Sequence, residues 1–405
     1  SRWSQPAIVS EDGTVDSMPD ILKVGNKVLI AWVDAGRTFA AAEKPIEKLS
    51  GMGISFAVYD IASGQMGQEV SLVKDDGFLN LSPQLNVDGS TVYCSYMKRD
   101  IKGAKEEELL DFTKIGATMA YVSYDYEKQQ KQEETLIKIT HDTKEHPLVM
   151  DYNSAVVQVD GDSYMVSTYT VDEDENLNTG EDKELYLEIT NVTKGRNYYP
   201  LRISRDNISQ SAPRLTEIDG VIYLTWLDNG YIFRLMSVTG LLETFFDTGK
   251  DSFTVYKDDG SAGETVVIDK SKYLEGYMNG TALNKNWYQK TAEDLGLAPE
   301  YYQNTVYEEL AQGVFHADSA SLAQKEGVTT SIANYQLTTN GDDIYIFFAD
   351  FGTEEDSTGV EIYGARYQRM LEDADSAENG ENGSGPEDSV DQKWGFGKAV
   401  QITNN

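Results

Sequence analysis

The chain has a single cysteine, Cys94, among 405 residues. An internal disulfide is therefore excluded, and cysteine usage says nothing about the redox compartment. Histidine is almost as scarce, with three in all. His141 and His146 stand five apart in HDTKEH, whereas a zinc-binding helix places two histidines four apart around a glutamate. A catalytic zinc centre is not expected. Apolar runs such as VLIAWV and IYIFFA have strand length, far below the ~20 residues that cross a bilayer, so membrane insertion is not expected either. Positive charge is short: 68 acidic residues face 34 basic ones, a formal charge of −34. That field repels phosphate backbones and anionic lipid, which argues against a nucleic-acid partner. Gly-x-Ser-x-Gly, phosphate-loop and dinucleotide fingerprints are all missing.

Tyrosine, by contrast, occurs 25 times. With Val, Ile, Thr and Gly it points to strands and turns. Hydrophobic residues at 40% and charged ones at 25% suit a folded chain. One phrase returns along the sequence: MPDILKVGNKVLIAWVD at 18–34, SPQLNVDGSTVYCSYMK at 82–98, SAVVQVDGDSYMVSTYT at 154–170, APRLTEIDGVIYLTWLD at 212–228 and ANYQLTTNGDDIYIFFAD at 333–350. Each copy reads strand, two-residue turn, strand, and its GN, DG or NG pair supplies the positive φ of a tight hairpin. Two more strands follow most copies, for example GISFAVYDI and QEVSLVKDD after the first. A four-stranded unit cannot bury both faces alone, so the units must pack side by side. Radial packing also limits exposed edges.

The expected fold is thus all-β: a β-propeller of four-stranded antiparallel blades, five of them recognisable, with a mainly helical insertion. An irregular sixth blade is the alternative, because RWSQPAIVSEDG at the start and WGFGKAVQITNN at the end both read as outer strands. The start carries neither an initiator Met nor a signal-peptide core, so the chain reads as a mature protein or part of a longer one. Blades one to four span 1–249. An insertion spans 250–330, with FTVYKDDGSAGETVVID as an added hairpin. Within it 284–326 reads as helical, from Pro299 near a first turn, Gly313 near an end and Asp318 as a second cap. The last blade spans 331–405 and carries an acidic low-complexity linker at 371–393.

In antiparallel blades, connections from second to third strands and from fourth to first strands emerge on one face. Residues 35–53, 99–116 and 171–183 are second-to-third connections, and 250–330 reads as a fourth-to-first one. All four then crowd onto one face, where a rigid scaffold would present its binding loops. DAG at 34–36, DNG at 228–230 and DFG at 350–352 fall in one repeat column. Asp34, Asp228 and Asp350 either close turns by bonding backbone two residues on, with Gly in the left-handed region, or form a carboxylate ring at the channel mouth. Arg37, Arg99 and Arg214 fall near the same face on three blades. They either pair with surface acids or converge on a ligand carboxylate. Asp172, Asp174 and Asn176 alternate as at the start of a calcium loop, although Leu177 and Lys183 replace its Gly and closing Glu. Cys94 reads as buried packing. Tyr301, Tyr302 and Tyr307 either stack on sugars or pack the insertion.

In its repeat phrase the chain resembles bacterial β-propeller repeat proteins and, distantly, sialidases. The aspartate box of sialidases (Ser, Asp, Gly, then Trp) is absent. The resemblance implies an arginine cluster on the propeller face, for which Arg37, Arg99 and Arg214 are the candidates. The expected function is a non-catalytic binding or scaffold propeller of a secreted or cell-surface bacterial protein, with a glycan or protein ligand. No cofactor is assigned, and calcium is the one metal the loops suggest. The alternative is a carbohydrate-active hydrolase.

Overall fold

The computed structural model describes residues 8–246, 250–256, 262–269, 318–322, 332–350, 360–370, 393–396 and 400–402, apart from 12, 75, 102, 106–107, 109–114, 138–147, 173–175, 177–182, 198–200, 205–207, 219 and 341–342. Five antiparallel sheets follow one another along the chain. Blade one comprises β1 (Asp16–Val24), β2 (Lys27–Asp34) and β3 (Gly53–Asp60), then an outer strand in two pieces, β4 (Gln65–Met66) and β5 (Val70–Val73). The short helix α1 (Pro45–Leu49) lies between β2 and β3. Blade two repeats the plan with β6 (Leu79–Asp88), β7 (Thr91–Arg99), β8 (Ala117–Asp125), β9 (Gln130–Lys131) and β10 (Thr135–Ile137). Blade three has β11 (Leu148–Val159), β12 (Asp162–Asp172), β13 (Lys183–Asn191), β14 (Arg196–Asn197) and β15 (Leu201–Arg202).

Blade four departs from the expected plan. Its first three strands are β16 (Gln210–Ile218), β17 (Val221–Asp228) and β18 (Ile232–Ser237). Helix α2 (Val238–Phe246) and a separate hairpin, β19 (Lys250–Tyr256) with β20 (Ala262–Asp269), come before the fourth strand, β21 (Asp318–Ser321), which pairs with β18. The hairpin matches the sequence reading. The placement of the long insertion does not: it joins a third strand to a fourth, not a fourth to a first. By the alternation of antiparallel strands, the connection from β18 to β21 leaves on the face opposite to 35–53, 99–116 and 171–183, and only 322–331 joins a fourth strand to a first. The cause is that β21 is DSAS, short and polar, with no alternation to betray a strand. Asp318 begins this strand and caps no helix. The helical reading of 284–326 lies outside the described residues except at 318–322, and the three tyrosines within it and all three histidines lie outside them too. Blade five is β22 (Ile332–Asn340), β23 (Asp343–Asp350), β24 (Glu361–Met370), β25 (Lys393–Phe396) and β26 (Val400–Gln401).

The first strands stand side by side: β1 contacts β6, β6 contacts β11, β11 contacts β16 and β16 contacts β22. Each pair of neighbouring blades encloses its own apolar layer. Leu29 and Phe56 meet Val92 and Cys94 between blades one and two. Met119 and Tyr121 meet Met165 and Tyr169 between two and three. Val166 and Leu187 meet Leu224 and Trp226 between three and four, where α2 adds Leu241 and Leu242. Leu227 and Phe233 meet Tyr335 and Phe348 between four and five. Alternation supplies both layers of every blade from one set of strands, and each fully buried side chain of this size contributes about 1.5–3 kcal/mol.

The hairpin turns take the expected backbone. Asp160 and Gly161 have φ of 51° and 83°, and Gly25 has 56°. A second irregularity was not expected. In each inner strand the pairing slips by one or two residues, at Ser17/Asp20, Leu81/Gln84, Met150/Asn153, Ser211/Arg214 and Ile332/Asn334. In the first four, a non-glycine residue inside the slip has positive φ: Met18, Ser82, Asp151 and Ala212, between 48° and 52°. These are β-bulges, which twist a strand and re-aim the side chains that follow.

Candidate functional site

The residues that resume pairing after the bulges are Asp20, Gln84, Asn153, Arg214 and Asn334, one polar side chain per blade. The first four line a channel of about 550 Å³ along the inner strands, together with Asn86, Ser154 and Glu217. Pro19, Pro83 and Pro213 each stand immediately before a member of this column.

Three of the column residues are engaged in one repeating contact. The Leu85 backbone N–H donates to Asp20 Oδ2 at 2.6 Å, the Ser154 N–H to Gln84 Oε1 at 2.7 Å, and the Leu215 N–H to Asn153 Oδ1 at 2.6 Å. In every case the acceptor belongs to one blade and the donor follows the column residue of the next blade. The donors lie on the first strand of each blade, the inner edge of its sheet, where N–H groups directed away from the second strand have no ladder partner. Gln84 Nε2 also donates to the Tyr152 carbonyl at 3.0 Å, and Asn86 Nδ2 to Ser154 Oγ at 3.0 Å. Burial holds the Asp20 carboxyl above its ordinary range, against the opposing pull of the Leu85 and Ile21 N–H groups.

The fourth member cannot follow the rule, because a guanidinium has donors and no acceptor. Arg214 forms no ion pair among the described residues, and its buried Nε has no hydrogen-bond partner there. Blades four and five are tied differently: the Tyr335 hydroxyl meets Thr225 Oγ1 at 2.9 Å and donates to the Ala212 carbonyl at 2.8 Å.

The sequence-derived candidates fall into separate places. Second strands all end in a buried charged residue: Asp34, Arg99, Asp172, Asp228 and Asp350, each at most 7% exposed. Asp34 Oδ1 accepts the Gly36 N–H at 2.7 Å, with Gly36 at φ 60°, so this carboxylate closes the turn as its sequence suggested. Its Oδ2 accepts from Ser55 Oγ at 2.8 Å. Asp228 accepts from Trp226 Nε1 at 2.8 Å and pairs with Arg234 Nε at 2.6 Å. Asp172 accepts the Asn176 N–H at 3.1 Å, while Asp174 lies outside the described residues. Arg37 pairs with Glu43 at 2.9 Å on the surface, its guanidinium 4.7 Å from the centre of the Phe39 ring. Arg99 is buried, with Nη2 donating to the Val149 carbonyl at 3.3 Å. No contact among the described residues joins the three arginines. The long second-to-third loops of blades one and two do meet, where Ile46 and Leu49 of α1 pack on Ile101 and Ile115.

No protein-family model matches the sequence, and no curated relative does. Solved structures similar to the chain include the Trypanosoma rangeli sialidase, at 8% identity and a TM-score of 0.36 over 87% of this chain and 54% of that one. A family 117 glycoside hydrolase, Zg3597 from Zobellia galactanivorans, aligns over 56% of this chain and 69% of its own, at 9% identity and a TM-score of 0.35. A Penicillium chrysogenum α-L-arabinanase complexed with arabinobiose aligns over 64% and 59%, at 10% identity and a TM-score of 0.33. The chain spans about half the length of the trypanosomal enzyme.

Proposed function

We propose that this propeller is a binding module whose central channel takes a neutral, hydroxyl-rich ligand of the glycan class. One observation carries the proposal: of the four column residues that line the channel, Arg214 is the one with no counterpart to the bonds of Asp20, Gln84 and Asn153 among the described residues. It lines a polar channel, and its buried Nε is unpartnered among the described residues. The carboxylate of Asp20 and the amides of Gln84 and Asn153 stand on the neighbouring inner strands. A sugar hydroxyl both donates and accepts, so a wall that mixes a guanidinium, a carboxylate and amides suits it. The net charge of −34 disfavours an acidic ligand at long range. Solved structures similar to the chain include glycoside hydrolases and sialidases. A secreted or cell-surface location, as the sequence suggested, would place the channel among such ligands.

The test is a glycan array followed by titration calorimetry with Arg214→Gln. That variant keeps the aliphatic stem and a donor near the Nε position but removes the charged fork. The expected result is binding by the native protein and a loss of about tenfold or more in affinity, roughly one to two charge-assisted hydrogen bonds, in a variant that still folds. Equal affinities would reject the channel as the site. A hydrolase is the second reading, favoured by the raised Asp20 pKa, which suits a proton donor. Turnover of reporter glycosides that disappears in Asp20→Asn would establish it.

A further inference from the structure

Each of the first four blades buries the position two strands out from its column residue. From Asp20, Gln84, Asn153 and Arg214 the pairing runs through the second strand to Phe56, Tyr121, Leu187 and Leu235 on the third. These four are at most 6% exposed, each in the layer shared with the following blade. In blade five the same register runs from Asn334 through Ala349 to Ile362, which is 42% exposed. This face is built like a blade interface but stands open. The series of first-strand contacts ends at β22.

The patch is continuous. One row along, Phe347 pairs with Gly364, and Gly364 with Val400. Ile402 donates its N–H to the Ile362 carbonyl at 2.7 Å. A methyl group on Gly364 would lie 3.0 Å from the Phe347 ring and 3.2 Å from Ile402 Cδ1, so those two side chains close over it. Val400 and Ile402 are 67% and 55% exposed, and Phe347 is exposed as well. The third row is Thr338, Tyr345 and Arg366. No acidic residue stands in the three rows, in a chain that has 68. A contiguous exposed apolar patch on a folded protein marks an interaction surface.

Charge selects the occupant. A basic partner would be drawn to the acids elsewhere on this chain, not to a face that lacks them. The face suits a molecule as acidic as this one, met where neither carries negative charge, and a second copy is such a molecule. The far side of blade one is not open to receive blade five, because Ile30, Trp32 and Ala57 there are already buried. A twofold axis brings the same patch of two copies together, apolar against apolar, as the charge-poor centre of an interface requires.

We propose that two copies of this chain pair through the outer faces of their fifth blades, with Phe347, Ile362, Val400 and Ile402 at the centre of the contact.

Sedimentation equilibrium over a range of protein concentrations, at low and at moderate salt, tests the pairing. The expected result is a dimer whose dissociation constant falls as salt screens the repulsion between two chains of charge −34. Ile362→Glu should weaken it by about tenfold or more, since the variant puts an unpaired carboxylate into an apolar contact. Ile61→Glu, at an exposed apolar residue of blade one, should leave it unchanged. If Ile362→Glu fails to fold, Ile402→Glu, just past β26, carries the same expectation. A monomer at every concentration and salt would overturn the proposal and leave the face to a different occupant. A dimer that the face variants leave intact, or that Ile61→Glu weakens as much, would overturn it by placing the contact elsewhere.

Discussion

Gln84 Oε1 accepts the backbone N–H of Ser154 at 2.7 Å, so a side chain of the second blade completes the hydrogen bonding of the third. The same group takes a further donor from Asn153 Nδ2 at 3.3 Å. Replacing Gln84 by Ala leaves a half-buried N–H unmet. Urea unfolding should show a loss of about 1–3 kcal/mol with an unchanged slope. A variant as stable as the native protein would mean that these bonds do not hold the blades.

Asp20 makes the corresponding bond one blade earlier, with a pH signature. Its folded pKa lies above the ordinary aspartate value of about 3.9, so the folded state binds the proton more tightly. The stability this group contributes is complete below the unfolded pKa and falls as pH rises through the folded one. Asp20→Asn keeps an acceptor for Leu85 and removes the titration. The stability of the native protein relative to this variant should therefore decline between pH 4 and the folded pKa. Parallel curves would contradict the burial of this carboxyl.

Gly53 begins β3 opposite Asp34, and a Cβ there would lie 2.2 Å from the Val73 carbonyl oxygen. That atom is backbone, so the outer strand itself would have to move. Gly53→Ala should cost about 1–3 kcal/mol, read from denaturant midpoints.

Cys94 is 1% exposed in the layer between blades one and two, and burial pushes its thiol pKa far up. A disulfide exchange reagent at pH 8 should leave the native protein unlabelled and react with one thiol per chain in denaturant. Fast labelling of the native protein would contradict the packing of that layer.

Much of this architecture is written openly in the chain. The GN and DG turns, the alternation in VLIAWVD and the spacing of the five copies follow from strand and turn chemistry, and the sheets agree. Other features are hidden for physical reasons. The channel column changes residue type from blade to blade, Asp, Gln, Asn and Arg, because each needs only to reach an N–H or, for Arg214, to avoid doing so. Its one sequence signal is a polar residue directly after Pro19, Pro83 and Pro213. In blade three the bulge lies at Asp151, with Tyr152 where the prolines stand. The third copy, read as starting at Ser154, therefore sits three residues too far along. The buried charge that ends each second strand is equally hard to see, since Arg99 and Asp172 break the Asp-x-Gly pattern. The fourth strand of blade four escapes recognition because DSAS has no apolar face.

The most direct measurement is a crystal structure of the protein soaked with the best glycan from the array. The account predicts sugar density along the inner strands, with hydroxyls within hydrogen-bond distance of Arg214 and Asp20. Density confined to the surface loops at 35–53 or 99–116, with the channel holding only solvent, would contradict it.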